Sequence, residues 1–185
     1  MFIQTETTPN PATLKFLPEC AVLESGVADF TTRQTAQRSP LARLLFEIDG
    51  VEAVFLATNF ITVTKSADKN WQVLKPMALG AIMAHFTSGA AVVESEAAAE
   101  DDEFTDVTDP EIVSQIKELL DTRVRPAVAQ DGGDIIYKGF KNGTVYLQLR
   151  GSCAGCPSST ATLKNGIENM LKHYMPEVLQ VEAVM

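Results

Sequence analysis

Two cysteines separated by two residues form the most specific chemical pattern in the sequence. Cys153 and Cys156 lie in the segment GSCAGCPSS, residues 151–159, which we call the cysteine loop. The C-x-x-C spacing lets both sulfur atoms point at one centre, and the glycines permit the tight turn that this requires. Pro157 is typical of a first helical turn, so Cys156 is expected beside unpaired N–H groups that favour its thiolate.

Three interpretations of this cysteine pair stay open from the residues alone. The first is a soft-metal site for zinc or for an iron–sulfur cluster, since both take thiolate ligands. The second is a thiol–disulfide oxidoreductase, because C-x-x-C at the N-terminus of a helix is also the motif of that class. In the third, the cysteines are two inert thiols, although a glycine-rich turn at a helix start is a poor place for core-filling side chains.

Counting ligands favours a metal site shared between two copies of the chain. A tetrahedral zinc ion or a [4Fe–4S] cluster takes about four thiolate or imidazole ligands, and the cysteine loop supplies Cys153 and Cys156. Cys20 belongs to the other half of the sequence, and His173 is expected ~25 Å away at the far end of the following helix. We therefore expect a homodimer whose two loops supply four sulfur atoms to a metal centre near the surface.

The charges divide the chain into two nearly neutral parts joined by an acidic segment. The 185 residues carry a net charge of −9, of which residues 91–108 contribute seven acidic side chains and no basic ones. Such a segment predicts a solvated linker. The absence of a basic stripe argues against nucleic-acid binding, and no apolar run approaches the ~20 residues of a membrane span. The N-terminus shows no export or transit pattern.

Residues 1–90 predict a small α/β domain. Period-two alternation predicts a half-buried strand over 60–65, and Ser39-Pro40 predicts the start of a helix. Further strands are expected at 2–7, 13–17 and 51–57, and a second helix at 71–86. The side chains expected to carry the apolar faces of the two helices are Leu41, Leu44, Leu45 and Ile48 in the first and Val73, Leu74, Met77, Ile82 and Met83 in the second.

Residues 109–185 predict a helix, two strands, a second helix and a last strand, which form a three-stranded sheet. The first helix starts at Pro110, is interrupted at Pro126 and ends at the sequence DGGD, residues 131–134. Asn142-Gly143 predicts a hairpin between strands at 135–140 and 144–149. The second helix is expected at 157–174 and the last strand at 178–184. The fold class is therefore α/β (α+β), with two small domains.

Other candidate residues have simpler explanations than chemistry. Cys20 lacks a partner at metal-ligand spacing and is expected to be a bystander thiol. His85 and His173 are placed near helix C-termini, where a partial positive charge suits the helix dipole. The sequence shows no catalytic triad, phosphate loop or dinucleotide fingerprint, so we do not expect an enzyme. Three cysteines without a disulfide framework fit a reducing compartment.

The motifs together resemble the Nfu family, the NifU-like iron–sulfur cluster scaffold or carrier proteins. In the C-terminal half the similarity covers nearly all of 109–185 and rests on Arg125-Pro126, DGGD at 131–134, NGTV at 142–145 and the cysteine loop. Residues 1–90 resemble the N-terminal domain of such proteins through TETTPNP at 5–11 and TLKF at 13–16. The resemblance implies an Nfu-type domain at 1–90, a linker at 91–108 and a NifU-like domain at 109–185.

The same resemblance implies a function and a set of partners. It implies a [4Fe–4S] cluster that bridges a homodimer, ligated by Cys153 and Cys156 of each subunit, and delivered to apo iron–sulfur proteins. Upstream iron–sulfur assembly proteins are then further partners, whereas nucleic acids and membranes are not expected. The expected location is the bacterial cytoplasm, with the mitochondrial matrix as the second choice.

Overall fold

The computed structural model describes residues 2–94, 110–154 and 157–184, with the side chains of 157–159 left out. The chain divides into two compact units, Met1–Ala98 and Ala99–Met185, and each has its own hydrophobic core. Helices and strands are mixed in both units, which confirms the predicted fold class. Most of the predicted acidic linker, from residue 95 onward, lies outside the described residues.

The N-terminal unit is a five-stranded sheet with two helices. The strands lie in the order β1-β2-β5-β4-β3, and every neighbouring pair is antiparallel. Its elements are β1 (Ile3–Thr7), β2 (Thr13–Pro18), β3 (Ala28–Phe30), a 3₁₀ turn (Thr35–Arg38), α1 (Pro40–Phe46), β4 (Val51–Leu56), β5 (Ile61–Lys65) and α2 (Trp71–Ser88). The sequence predicted all of these elements except β3 and the 3₁₀ turn.

Ser39 begins α1 and also holds the segment that follows α2. Its Oγ accepts a hydrogen bond from the Ala42 N–H at 3.0 Å and donates one to the Val92 carbonyl at 2.6 Å. Two residues later, the Glu94 N–H donates to the Arg38 carbonyl at 2.8 Å. The predicted helix start is confirmed, and the chain after α2 is tied to it.

The predicted apolar face of α2 is wrong for three residues. Val73, Met77 and Met83 are 64%, 49% and 43% exposed. The helix is rotated so that a different set of residues, spaced by three or four positions, packs on the core. Helix α2 packs against α1, and the buried set includes an alanine, which a search for large apolar residues did not select. The buried residues are Leu74, Ala78, Ile82 and His85.

The predicted role of His85 as a positive charge at a helix end is also wrong. Its side chain is buried, and within the described residues its Nε2 has no hydrogen-bond partner. Burial lowers the pKa of the imidazole below 6.5, so the neutral form is favoured at neutral pH. His173 is exposed near the end of the helix at Pro157–Tyr174, with its ring edge-on to Tyr174.

Strand β5 is buried on both faces, where alternation predicted a half-buried strand. Thr62 is 1% exposed, although it lies on the face away from α1 and α2. Phe60 folds over this face, where the Lys15 ammonium lies 4.8 Å from its ring centre. The long stem of Lys15 and the Phe60 ring therefore exclude water from the centre of the second face.

The C-terminal unit is a three-stranded sheet with helices, in the predicted order. The sheet order is β6-β7-β8, with β6 and β7 antiparallel and β7 and β8 parallel. The elements are α3 (Pro110–Leu119), a π-helical turn (Leu120–Val124), α4 (Arg125–Gln130), β6 (Gly133–Lys141), β7 (Thr144–Gly151), α5 (Pro157–Tyr174) and β8 (Gln180–Val184). In the part of the chain that the structure describes, no helix has the length and apolar character to cross a membrane.

Two local signals set the geometry of this unit as predicted. The π-helical turn directly before Arg125-Pro126 is the predicted interruption, because Pro126 has no N–H to donate to the preceding turn. Asn142 and Gly143 both have positive φ, at 50° and 78°, as a type I′ hairpin turn requires. Helix α5 then connects β7 to β8, so the cysteine loop follows the carboxyl end of the central strand.

Candidate metal centre

The cysteine loop lies between the end of β7 and the start of α5. Strand β7 ends at Gly151, whose φ of 66° turns the chain out of the sheet. Of the two predicted ligands, the structure places Cys153, whereas Gly155 and Cys156 lie outside the described residues. The expected thiolate character of Cys156 therefore stays a prediction.

Cys153 is buried, although the sequence suggested an accessible site and poor placement for core packing. It is 5% exposed and belongs to the hydrophobic core of the C-terminal unit. Gly133, which pairs with Gly151 across β6 and β7, leaves the space for its sulfur atom. A Cβ at position 133 would lie 2.5 Å from Cys153 Sγ, which is too close for any real carbon atom.

Hydrogen bonds hold the backbone around Cys153 on both sides. The Ser152 hydroxyl donates to the Asp131 carbonyl, and the Ser152 N–H donates to the Gly132 carbonyl at 3.1 Å. The same Ser152 Oγ lies 3.9 Å from Cys153 Sγ. The Thr160 hydroxyl donates to the Cys153 carbonyl at 3.1 Å, which ties the loop to α5. Ser152 therefore clamps the cysteine loop onto the DGGD segment.

The surroundings of Cys153 favour its neutral thiol. Burial raises the pKa of the Cys153 thiol to about 11, and the carboxylates of Asp131 and Asp134 act in the same direction. The Ser152 hydroxyl lowers the pKa by a smaller amount. At neutral pH the sulfur atom is therefore protonated, and a soft metal ion would have to replace that proton.

Arg125 and Asp134 hold the DGGD segment in place, and Gly133 of that segment lies next to Cys153. Arg125 Nε donates to the Ile135 carbonyl at 3.2 Å and lies 3.5 Å from Asp134 Oδ1, while Asp121 lies 3.1 Å from Arg125 NH1. Burial raises the pKa of Asp134, and the Arg125 guanidinium opposes that shift. Asp131 caps the end of α4 and β6 begins at Gly133, which is the helix stop and strand entry expected from DGGD.

The other two candidate ligands belong to other parts of the chain. Cys20 belongs to the N-terminal unit, where it is half-buried. His173 lies at the end of the 18-residue helix α5 that is distant from the loop. Across residues 2–94, 110–154 and 157–184, no group of three or more His, Cys, Asp or Glu side chains is arranged to hold a metal ion.

Sequence reasoning missed two residues that shape the site, Ser152 and Gly133. Both lie in motifs that the sequence singled out, but their role depends on the pairing of β6 with β7, which brings Gly133 opposite Gly151. The pairing starts at the Asn142-Gly143 turn, and an irregularity between Tyr137 and Gly139 shifts it by one residue before it reaches Gly133. Counting residues from the turn would place Gly133 opposite Ser152, so no signal in the sequence identified the observed pairing.

The comparisons with known proteins agree on one family. The model for the N-terminal domain of scaffold protein Nfu/NifU matches residues 3–89, and the NifU-like domain model matches residues 116–182. The human protein named "NFU1 iron-sulfur cluster scaffold homolog, mitochondrial" is 55% identical over 186 residues, covering 100% of this chain and 72% of that protein. "NifU-like protein 4, mitochondrial" from Arabidopsis thaliana is 52% identical over 185 residues, covering 98% and 65%.

A solved structure is also similar, at a lower level. The solution NMR structure of a NifU-like protein from Saccharomyces cerevisiae aligns with 52% of this chain and 87% of that chain, at 26% identity and a TM-score of 0.47. This chain spans 65% to 72% of the length of the two curated relatives named above. Both domain matches and the identity to those relatives show that the chain belongs to the Nfu family.

Proposed function

We propose that this protein is an iron–sulfur cluster scaffold or carrier and not an enzyme. Two copies hold a labile [4Fe–4S] cluster through Cys153 and Cys156 of each chain and pass it to apo-proteins. The family membership supports the role, since the human relative is itself named an iron–sulfur cluster scaffold homolog. The observation that carries the proposal is a C-x-x-C pair in the turn between β7 and α5, with Cys153 as its described member.

The donor chemistry at Cys153 fits iron as cargo. Thiolate sulfur is the ligand that iron–sulfur clusters take, and binding releases the thiol proton. Burial raises the pKa of Cys153 to about 11, so without metal the side chain is an uncharged thiol, which the core accommodates. Iron stabilises the thiolate that the buried position disfavours, so we expect Cys153 to lose its proton only when the metal binds.

The number of sulfur ligands supports a shared site. The sequence holds three cysteines, and two of them lie in the C-terminal half. His173 is at the far end of α5, ~25 Å along the helix from the cysteine loop at 1.5 Å per residue. One copy therefore offers half of the ligands that a [4Fe–4S] cluster takes, and a symmetric dimer supplies the other half.

Transfer follows from exchange of thiolate ligands. An incoming thiolate of the acceptor forms a bond to iron while the bond from iron to Cys153 or Cys156 breaks. The released Cys153 thiolate takes up a proton from solvent, and its raised pKa favours that protonation at neutral pH. Protonation of the released Cys153 therefore opposes its return to iron.

The alternative of a thiol–disulfide oxidoreductase is disfavoured by Cys153. In that class the attacking cysteine has a lowered pKa, because the thiolate is the nucleophile. Burial instead raises the pKa of Cys153, and the nearby carboxylates of Asp131 and Asp134 raise it further. A zinc-bridged dimer uses the same ligands and is distinguished by metal analysis.

The domain organisation and the location belong to the same proposal. The chain has an Nfu-type domain at 1–90, a linker at 91–108 and a cluster-binding domain at 109–185, with upstream iron–sulfur assembly proteins and apo acceptors as partners. The names of the human and Arabidopsis relatives carry the word mitochondrial, so we propose the mitochondrial matrix. The first expectation, the bacterial cytoplasm, has no support from these relatives.

Anaerobic reconstitution with iron and sulfide tests the proposal. We expect a brown dimer with one cluster per two chains, measured by absorption, iron analysis and native mass. Cys153→Ala or Cys156→Ala abolishes the cluster, whereas Cys20→Ala, the matched control, retains it. A colourless dimer with one bound zinc, iron enclosed by a single copy, or insulin reduction by the monomer would each contradict the proposal.

A further inference from the structure

The Cys153 thiol lies in a recess of the C-terminal unit, although a shared metal centre needs ligands that reach outward. Gly133 forms one wall of the recess, with space for sulfur in place of a Cβ. Ser152 closes another side, because its Oγ lies 3.9 Å from Cys153 Sγ and donates to the Asp131 carbonyl. Cys153 is 5% exposed in this position.

We propose that Ser152 and Gly133 are positioning residues that keep the Cys153 thiol recessed while the chain carries no cluster, and that Cys153 leaves this recess to bind iron. A centre bound by two chains lies outside the surface of each, so a ligand within the core cannot reach it without turning outward. The first part of this proposal, the recess, concerns only the metal-free chain. The second part, the outward movement of Cys153 when iron binds, rests on the proposed function.

The geometry assigns separate contributions to the two residues. Ser152 contributes a hydrogen bond between the cysteine loop and the DGGD segment, with its own side chain buried. Gly133 contributes space, since the nearest atoms to a Cβ there are Cys153 Sγ at 2.5 Å and the Arg150 carbonyl oxygen at 2.8 Å. Removing the bond loosens the recess, and adding a methyl group fills it.

Alkylation of the metal-free chain tests the recess directly. In a Cys20→Ser/Cys156→Ser background, Cys153 is the one thiol. We expect Cys153 in the native protein to be alkylated more slowly than in the same protein in urea, and the bulky reagent N-phenylmaleimide to be slowed more than iodoacetamide. The size dependence distinguishes a recess from an unreactive but accessible thiol. Equal native and urea rates, or no dependence on reagent size, would overturn the proposal.

Variants in the same background test the two positioning residues. Ser152→Ala removes the hydrogen bond to the Asp131 carbonyl and the contact with Cys153 Sγ, and it should raise the native alkylation rate by about five- to tenfold. Ser114→Ala, an exposed serine of α3 in the same unit, is the matched control and should leave the rate unchanged. Gly133→Ala should expose the thiol even more. Should that variant fail to fold by circular dichroism, the Ser152→Ala rate decides, and an unchanged rate contradicts the role of Ser152.

Loading kinetics with the native cysteines test the outward movement. We expect Ser152→Ala to take up iron and sulfide faster than the parent chain and Ser114→Ala, and to reach the same final content. Equal loading rates would overturn the requirement that Cys153 leaves the recess. If no variant loads iron at all, the proposed function fails, and the alkylation rates still decide whether the recess exists.

Discussion

The buried Cys153 thiol should make the stability of the C-terminal unit fall at alkaline pH. Burial raises its pKa from 9.0 to about 11 in the folded chain. Between these values the unfolded chain loses a proton that the folded chain keeps, so the free energy of unfolding decreases as the pH rises. Two pKa units correspond to about 2.7 kcal/mol, present in full below about pH 9 and lost by about pH 11.

Urea unfolding of the metal-free, reduced protein at about pH 8 and about pH 11 measures this loss. Trp71 fluorescence follows the N-terminal unit, and circular dichroism follows both units, so the difference isolates the C-terminal one. Cys153→Ala removes the titrating group. Between these two pH values, its free energy of unfolding should therefore decrease by about 2–3 kcal/mol less than that of the parent. Cys20→Ala is the matched control and should behave as the parent. Identical losses for the parent and Cys153→Ala would refute the argument from burial.

Two further predictions concern charged and titratable groups in the separate units. Arg125→Gln removes the guanidinium that lies 3.5 Å from the half-buried carboxylate of Asp134, and we expect the free energy of unfolding to fall by about 1 kcal/mol in urea titrations. Arg123→Gln, in the π-helical turn that precedes α4, should lower the free energy of unfolding by less, and equal losses would contradict this account. Because burial lowers the pKa of His85, the stability of the N-terminal unit should fall as the pH drops below about 6.5, where the unfolded chain gains a proton. His85→Gln should reduce that slope in Trp71 fluorescence, and an unchanged slope would count against the neutral buried imidazole.

The sequence predicted those parts of the fold that short-range chemistry decides. The hairpin at Asn142-Gly143 required only that two adjacent residues accept positive φ, and both do. Pro126 interrupts its helix because it lacks one backbone N–H donor. The π-helical turn before it is the result. Ser39 caps α1 through its own hydroxyl group. These features depend on neighbours within a few residues, and they were correct.

The errors concern packing against distant parts of the chain. The face that α2 buries depends on how closely it approaches α1, and Ala78 lies in that face while the larger Met77 is exposed. The burial of Cys153 depends in the same way on Gly133, which is 20 residues earlier and reaches it through the pairing of β6 with β7. Periodicity describes one element at a time, so it could not show either contact.

During synthesis, the cysteine loop leaves the ribosome before the strand that completes its unit. Strand β8 at Gln180–Val184 pairs with the central strand β7, and Val181 lies opposite Val145 in the core. The described elements of the N-terminal unit all end by residue 94, so that unit can fold while the later residues are still being added. We expect a chain truncated before residue 180, which lacks β8, to present Cys153 as a freely alkylated thiol. The newly made protein thus passes through an interval in which iron donors and oxidants compete for a sulfur atom that folding later shelters.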